Sequence, residues 1–384
     1  MFSFLQPKHV KQGRQLLKDA TKLLAYKRDL WSAATVADYE AHLKRLESAV
    51  KQRDARGIED EARKLDALCA ANLPPPTNAW LAENVEVFLV AIVIALGVRT
   101  YFLQPFTIPT GSMQPTLNGV IGYPTPEPPP NILVRTLQVG LFGRSWLNAV
   151  AQGDEQFVGV EEFRSLAGIR SKNIGFTRTE IRTTKATYVV PGMNTTVVNY
   201  FIRQKPPDHV YKAGEPIARG YIDTGDHVFV DKLTYHFRKP RRGEVFVFHT
   251  QNVPTDENRR NPGGPSQFYI KRLTGLPGDE LRIDPPEMFI NGQPAAEPAI
   301  RRVIEQKEPG YRGYGSGRQL GFGSGILADK DVPYAVPPKN YFAMGDNSYH
   351  SSDSRAWGPV PEENLMGRGV FVYWPFARHW GLIK

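Results

Sequence analysis

A mostly β body, preceded by one transmembrane helix and an α-helical N-terminal appendage, is the fold class that this sequence predicts. Three observations carry it. Apolar residues recur at helical spacing through roughly the first 73 positions. An uncharged apolar stretch of twelve residues follows them, short of the about 20 that a bilayer span needs until its apolar flanks are added. From residue 105 onward the chain breaks into short β-type runs between turn signals.

Composition agrees. The 384 residues suffice for more than one domain, and 41% hydrophobic with 23% charged residues excludes wholesale disorder. The 34 Gly and 32 Pro favour a loop-rich β body. A net charge of +9 permits attraction to anionic lipid or nucleic acid, but no dense Lys/Arg run occurs, which leaves a solvated basic surface as the simpler reading. Cys69 is the only cysteine, so intrachain disulfides and Cys-based metal sites are excluded.

In the N-terminal region, Val36, Tyr39, Leu43, Leu46 and Val50 form one stripe on a helix, and Ile58, Ala62, Leu65 and Cys69 form another. An earlier stripe runs through Val10, Leu17 and Leu24. Two or three such helices would pack as a hairpin or short coiled coil, serving either as a docking module or as a self-packed cap. Pro74-Pro75-Pro76 ends the unit.

The apolar stretch centres on Val87–Val98 and is extended by Trp80, Leu81, Tyr101, Phe102 and Leu103. It fits a membrane span with Glu83, Glu86 and Arg99 near its ends, or else a buried core helix. It lies too far from Met1 for an ordinary cleavable signal peptide. The nearest basic residues, Lys64 on one side and those beyond Val134 on the other, lean only slightly towards a cytoplasmic N-terminus.

Val228–Val230, Glu244–Phe248, Phe268–Ile270 and Gly369–Trp374 read as strands. Glu280–Ile283 and Met288–Ile290 flank Pro285-Pro286 and precede the turn Asn291-Gly292, a hairpin pattern. Two stretches read as insertions or loops, at about 125–219 and 295–337. The glycines of Gly310–Gly325 lack the Lys-Ser/Thr ending of a phosphate loop, so that stretch reads as a flexible loop.

Ser112 and Lys271 are the candidate chemistry. A serine hydroxyl needs a base, and a lysine serves as one only when its ammonium is desolvated. Ser112 follows the apolar stretch closely, and Lys271 sits on an apolar strand, a pattern that suggests a Ser–Lys hydrolase at a membrane surface. Four segments occur in order: Ser112-Met113-Gln114-Pro115-Thr116-Leu117, Gly225-Asp226-His227-Val228-Phe229-Val230-Asp231-Lys232, Tyr269–Asp279, and Gly345-Asp346-Asn347 through Arg355. Together they closely resemble bacterial signal peptidase I, the membrane-bound Ser–Lys leader peptidase family. The resemblance covers roughly residues 100–120 and 220–384.

It implies signal-peptidase-like antiparallel sheets, and a membrane-anchored serine endopeptidase that removes N-terminal signal peptides from exported preproteins by cleaving after small residues. Ser112 would be the nucleophile and Lys271 the general base. The Ser112 N–H and the Thr110 hydroxyl would form the oxyanion hole, with Thr110 standing where the family often has Ser. Ser351 would orient the lysine amine, and Asp353 and Arg355, with Arg272, would hold the last segment together. Phe106, Ile108, Met113, Leu117, Val230, Tyr269 and Ile270 would line the substrate pockets. Ordinary core packing is the alternative for all seven.

A carboxylate touching Lys271 would raise its pKa, so Asp279, Asp346 and Asp353 are expected to stay off its amine. The expected organisation is a cytoplasmic helical region (1–78), an anchor (79–104) and a peptidase domain (105–384). It would be single-pass in the bacterial cytoplasmic membrane, with the catalytic domain periplasmic or extracellular. Expected partners are signal peptides of secreted preproteins, the lipid bilayer and secretion machinery; no metal, cofactor or nucleic acid is expected.

Three rival readings remain on residues alone. A Ser–His–Asp hydrolase would need one of eight histidines, yet His227, His249 and His350 fit no nucleophile-elbow pattern, and His227 and His350 read as surface residues. A self-cleaving repressor would need a DNA-reading domain in place of residues 80–104. A non-enzymatic peptide-binding domain would need neither Ser112 nor Lys271.

Overall fold

The computed structural model describes residues 7–72, 79–166, 169–171, 174–305, 311–322 and 325–383. Pro74–Pro76 lie outside them. Contacts divide the chain into two units, Met1–Val93 and Ile94–Lys384.

The first unit opens with three helices, α1 (Lys8–Lys27), α2 (Ala33–Gln52) and α3 (Ala55–Asn72). The side chain of Ser32 caps α2 by accepting from the Thr35 N–H at 3.2 Å. Arg53, at φ 58°, turns the chain into α3. The stripes meet in one core of Val10, Ala20, Tyr39, Leu46, Val50, Ile58 and Leu65. Gly13 makes the close approach possible, since a Cβ there would lie 2.9 Å from Val50 Cγ2.

Helix α4 (Ala79–Tyr101) follows. Its stretch Asn84–Tyr101 has a mean hydropathy of 1.7 and is nowhere buried. The buried-core alternative is therefore not realised, and the helix is long and apolar enough to cross a bilayer.

In the second unit an antiparallel sheet of eight strands is built around β1 (Leu103–Thr107), β2 (His227–Asp231), β3 (Val245–His249), β4 (Phe268–Gly275), β5 (Asn340–Met344), β6 (Val360–Pro361) and β7 (Leu365–Trp374). The order is β1-β2-β7-β3-β4-β5-β6, and Gly381–Leu382 adds to β7. Strand β3 is buried on both faces. Val245 and Val247 enter a core with Ile108, Met113, Leu117, Val228 and Val230, while Phe246 and Phe248 enter another with Leu273, Tyr341 and Trp357. Four strand spacings would set β1 and β4 roughly 19 Å apart in a flat sheet. The rings of Phe106 on β1 and Phe268 on β4 instead lie 5.3 Å apart, so the sheet curls back on itself.

The hairpin expected around Asn291-Gly292 forms between Glu287–Ile290 and Gln293–Pro294, with both turn residues at positive φ (53° and 80°). Glu280–Asp284 pairs with the same strand across Pro285-Pro286. Neither expected insertion is plain loop. The region 125–219 supplies a five-stranded sheet and, together with Ile121–Pro124 and the end of Pro216–Asp223, a three-stranded one, around a core that includes Leu147, Ile181, Val197, Tyr211 and Ile217. In the other, helix Pro298–Glu305 buries Ile300, Val303 and Ile304 against the hairpin. Residues 311–322 of the glycine-rich stretch are anchored rather than free, with Tyr314 wholly buried in the same core.

Candidate active site

Ser112 lies in a 3-10 turn, Gly111–Met113, directly after the end of β1. Met113 and Leu117 plug the turn into the sheet core, and the Asn347 N–H donates to the Ser112 carbonyl at 3.0 Å. Lys271 sits on β4, flanked by β3 and two residues beyond half-buried Tyr269. The curl brings the two together, and Lys271 Nζ lies 2.7 Å from Ser112 Oγ with both residues buried. Thr110 Oγ1 lies 3.4 Å from the same Oγ and donates towards it.

Burial lowers the Lys271 pKa to about 8, against the opposing pull of Asp353 and Asp346. Those carboxylates act only at a distance, because each is already engaged. Asp346 is paired with Arg272, and Asp353 with Arg355, all four side chains being wholly buried. Asp279 accepts from the Leu276 N–H at 2.7 Å. No carboxylate forms an ion pair with Lys271 among the described residues. A hydroxyl beside an amine that is substantially neutral near pH 8 can lose its proton to that amine.

Arg272 ties to the last segment through Asp346, in a fork separate from the Asp353–Arg355 pair that also takes in Thr116 and the Gly243 carbonyl. Other expected contacts are corrected. Ser351 makes no hydrogen bond to Lys271: its Oγ is buried without a partner among the described residues, above the Cα of Gly345. The lysine amine is directed to Ser112 instead. Of the seven expected pocket residues, Ile108, Met113, Leu117 and Val230 are closed into the core: strand alternation points Val230 inward, and the 3-10 turn with the segments on either side of it packs the other three onto it. Phe106, Tyr269 and Ile270 stay half-buried. His227 is no surface residue, since it packs against the rings of Tyr373 and Trp374.

Sequence reasoning missed Asp346, Thr116, Asn347 and Arg302 as parts of this framework. Arg302 donates to Thr116 Oγ1 at 2.7 Å, linking the helix Pro298–Glu305 to the serine turn. The signal for Asp346 and Asn347 was their place in the same segment as Ser351 and Asp353.

The family model for signal peptidase, peptidase S26, matches residues 81–121 and 217–374. These two stretches make up more than half of the chain and contain both Ser112 and Lys271. The chain belongs to the signal peptidase family. It is 34% identical over 157 residues to signal peptidase I of Leptolyngbya laminosa, an overlap of 41% of this chain and 64% of that protein. It is 33% identical over 157 residues to the probable signal peptidase I-2 of Synechocystis, covering 41% of this chain and 59% of the other. The chain thus spans less than two thirds of the length of either relative. A solved signal peptidase I from Enterococcus faecalis is 26% identical, with an overlap of 34% of this chain and 97% of that one, at a TM-score of 0.24. The module between residues 122 and 216 falls outside the signal peptidase match.

Proposed function

We propose that this chain is a membrane-anchored serine endopeptidase of the signal peptidase I type, cutting signal peptides from exported preproteins after small residues. The observation that carries the reading is the buried 2.7 Å approach of Lys271 Nζ to Ser112 Oγ, with the lysine pKa at about 8.

In this reading Ser112 Oγ attacks the scissile carbonyl as its proton passes to the neutral Lys271 amine. The oxyanion is met by the Ser112 N–H and by the Thr110 hydroxyl, which turns from Ser112 Oγ towards the developing charge. Lys271 then protonates the leaving amine, and a water activated by the same amine releases the acyl group from Ser112.

The substrate would bind as an added strand. Strand β4 pairs with β5 only from Arg272 onward, so among the described residues the stretch Phe268–Lys271 has one free edge. Strand β1 is one edge of the sheet, pairing among the described residues only with β2, and the curl sets Phe106 against Phe268. An extended peptide between these edges passes Tyr269, Ile270 and Phe106 on its way to Ser112. Half-buried apolar walls of this kind favour small side chains.

Helix α4 is the anchor in this reading, with residues 1–78 cytoplasmic and the body on the trans face of a bacterial cytoplasmic membrane. Secretion machinery would deliver the precursor there. The test is cleavage of a preprotein carrying an Ala-x-Ala site in detergent, from about pH 6 to 10. Cleavage after the second Ala by the intact chain, lost in Ser112→Ala and Lys271→Met, supports the reading. Retained cleavage in Lys271→Met sinks the dyad; binding without cleavage by all three chains favours a peptide-binding module.

A further inference from the structure

Within the module that the family match leaves out, helix α5 (Ile132–Phe142) is built inside out. It buries none of its 11 side chains. Ile132, Leu133 and Leu137 are 69%, 74% and 61% exposed, and Val139, Leu141 and Phe142 are exposed as well. Its half-buried positions are polar. Arg135 and Gln138 stand one turn apart on the side facing the protein, and Gln138 Oε1 accepts from Trp146 Nε1 at 2.6 Å. A soluble helix of a folded body does the reverse. A helix this short is marginal in water without a packed apolar face. Yet this one is well delimited, capped by Asn131 at its start and by Gly143 at φ 63° at its end.

Its surroundings point to lipid as what covers it. At roughly 16 Å the helix is too short to cross a bilayer and fits only along its surface. Trp374 Nε1 donates to the Gly140 carbonyl at 2.8 Å and the Phe376 N–H to that of Leu141 at 2.9 Å. Exposed Phe376 and Trp380 continue the apolar surface, and amphipathic rings of this kind collect at the headgroup level. No acidic residue occurs between Glu127 and Asp154, whereas Arg135 lies on the helix and Arg378 beside the aromatic group. That charge balance suits an anionic bilayer.

We propose that α5 is a second membrane contact, lying in the headgroup–acyl boundary of an anionic bilayer and holding the Ser112 end of the body to the lipid. The connection to the site is short. The Gly143 carbonyl accepts from the Thr224 N–H, and two residues later the Asp226 carbonyl accepts from Ile108 N–H at 2.9 Å, just before the serine turn. The proposal deepens the reading of the chain as a membrane-anchored peptidase and rests on it.

The test uses the full chain with Cys69→Ser, reconstituted in vesicles of phosphatidylglycerol and phosphatidylethanolamine. An environment-sensitive fluorophore is placed on Leu137→Cys in α5, on Leu89→Cys in α4, or on Val158→Cys, an exposed strand position elsewhere in the module. Lipids brominated at shallow or deep acyl positions serve as quenchers. Strong quenching of the Leu137 probe by shallow lipids, with the Val158 probe unaffected, supports the proposal. A Leu137 probe that no lipid quenches overturns it, including one that is blue-shifted because a second copy covers it. The Leu89 probe reports separately on the anchor: if it escapes deep quenching, the anchor reading fails, and the Leu137 result still decides whether α5 meets lipid. As a second measurement, the double variant Leu133→Glu, Leu137→Glu should cut a soluble peptide as the parent does and a vesicle-embedded precursor several-fold more slowly. Equal rates on both substrates would remove the functional half of the proposal.

Discussion

Arg272 grips Asp346 through two parallel N–H···O bonds of 2.7 and 2.5 Å, with both side chains wholly buried. Its neighbour on the strand, Lys271, has no such partner among the described residues. The carboxylates nearest the amine are held by arginines, which leaves desolvation free to lower the lysine pKa.

Removing one member of the Arg272 fork should therefore be costly. Asp346→Ala leaves a buried guanidinium without its anion, and stability should fall by about 3–5 kcal/mol. Urea unfolding of the full chain in micelles measures this. The paired change Arg272→Met, Asp346→Leu should recover a large part of the loss.

Lys271 should leave a pH signature in stability. Its pKa drops from an ordinary 10.5 to about 8 on folding, a cost of roughly 3 kcal/mol when the solution is neutral. Above pH 10.5 the amine is neutral in both states and the cost vanishes; below about 8 it is fully present. Lys271→Met should thus be more stable than the parent at pH 7, and the gap should close as the pH rises from 8 to 10.5. A gap that stays constant through this window would show that the folded lysine is not depressed.

Activity should rise with pH through an apparent pKa near 8, as the amine loses its proton. The pH dependence of kcat/KM, from initial rates at substrate well below KM, tests this, and a profile governed by a group near pH 6.5 would implicate a histidine.

Thr110 offers a cleaner probe of the proposed oxyanion site than Ser112 itself. Thr110→Val keeps the branched shape and removes the hydroxyl, and kcat should drop on the order of 10²-fold with KM little changed. Thr110→Ser should retain most of the rate.

The serine turn should be equally sensitive to a single methyl group behind it. A Cβ on Gly119 would lie 2.2 Å from the Thr110 carbonyl carbon and 2.4 Å from its oxygen. Gly119→Ala must displace Thr110, so it should lower kcat well before it lowers the unfolding midpoint. Parallel kinetics and thermal melts separate the two effects.

How much of this was legible beforehand depends on the range of the interactions. The stripes ending in Val50 and Cys69, and the turn at Asn291-Gly292, are local patterns, and the elements formed where they indicated. Ser112 and Lys271 were legible as candidates because each sits in a distinctive segment. Their 2.7 Å approach required the curl of a sheet that no short window encodes. The pairing of Arg272 with Asp346 rather than Asp353 was hidden for the same reason, since both aspartates stand in one segment. Met113 and Leu117 looked like pocket walls beside Ser112, but the 3-10 turn and the turn that follows it, where the Leu117 N–H donates to the Met113 carbonyl, carry them into the core. Glu155–Leu166 alternates too loosely to announce a 12-residue strand, and it forms through pairing with Phe176–Thr183.

The clamp on the Ser112 carbonyl comes from Asn347, more than two hundred residues downstream, whose side chain also donates to the Gly111 carbonyl at 3.1 Å. Chain order then acts as a timer. During synthesis Ser112 and Lys271 both emerge well before the segment that holds the serine turn in place. A chain stalled short of residue 345 carries Ser112 and Lys271 and none of the Asn347 restraint, so the serine turn is fastened only with the final stretch of polypeptide.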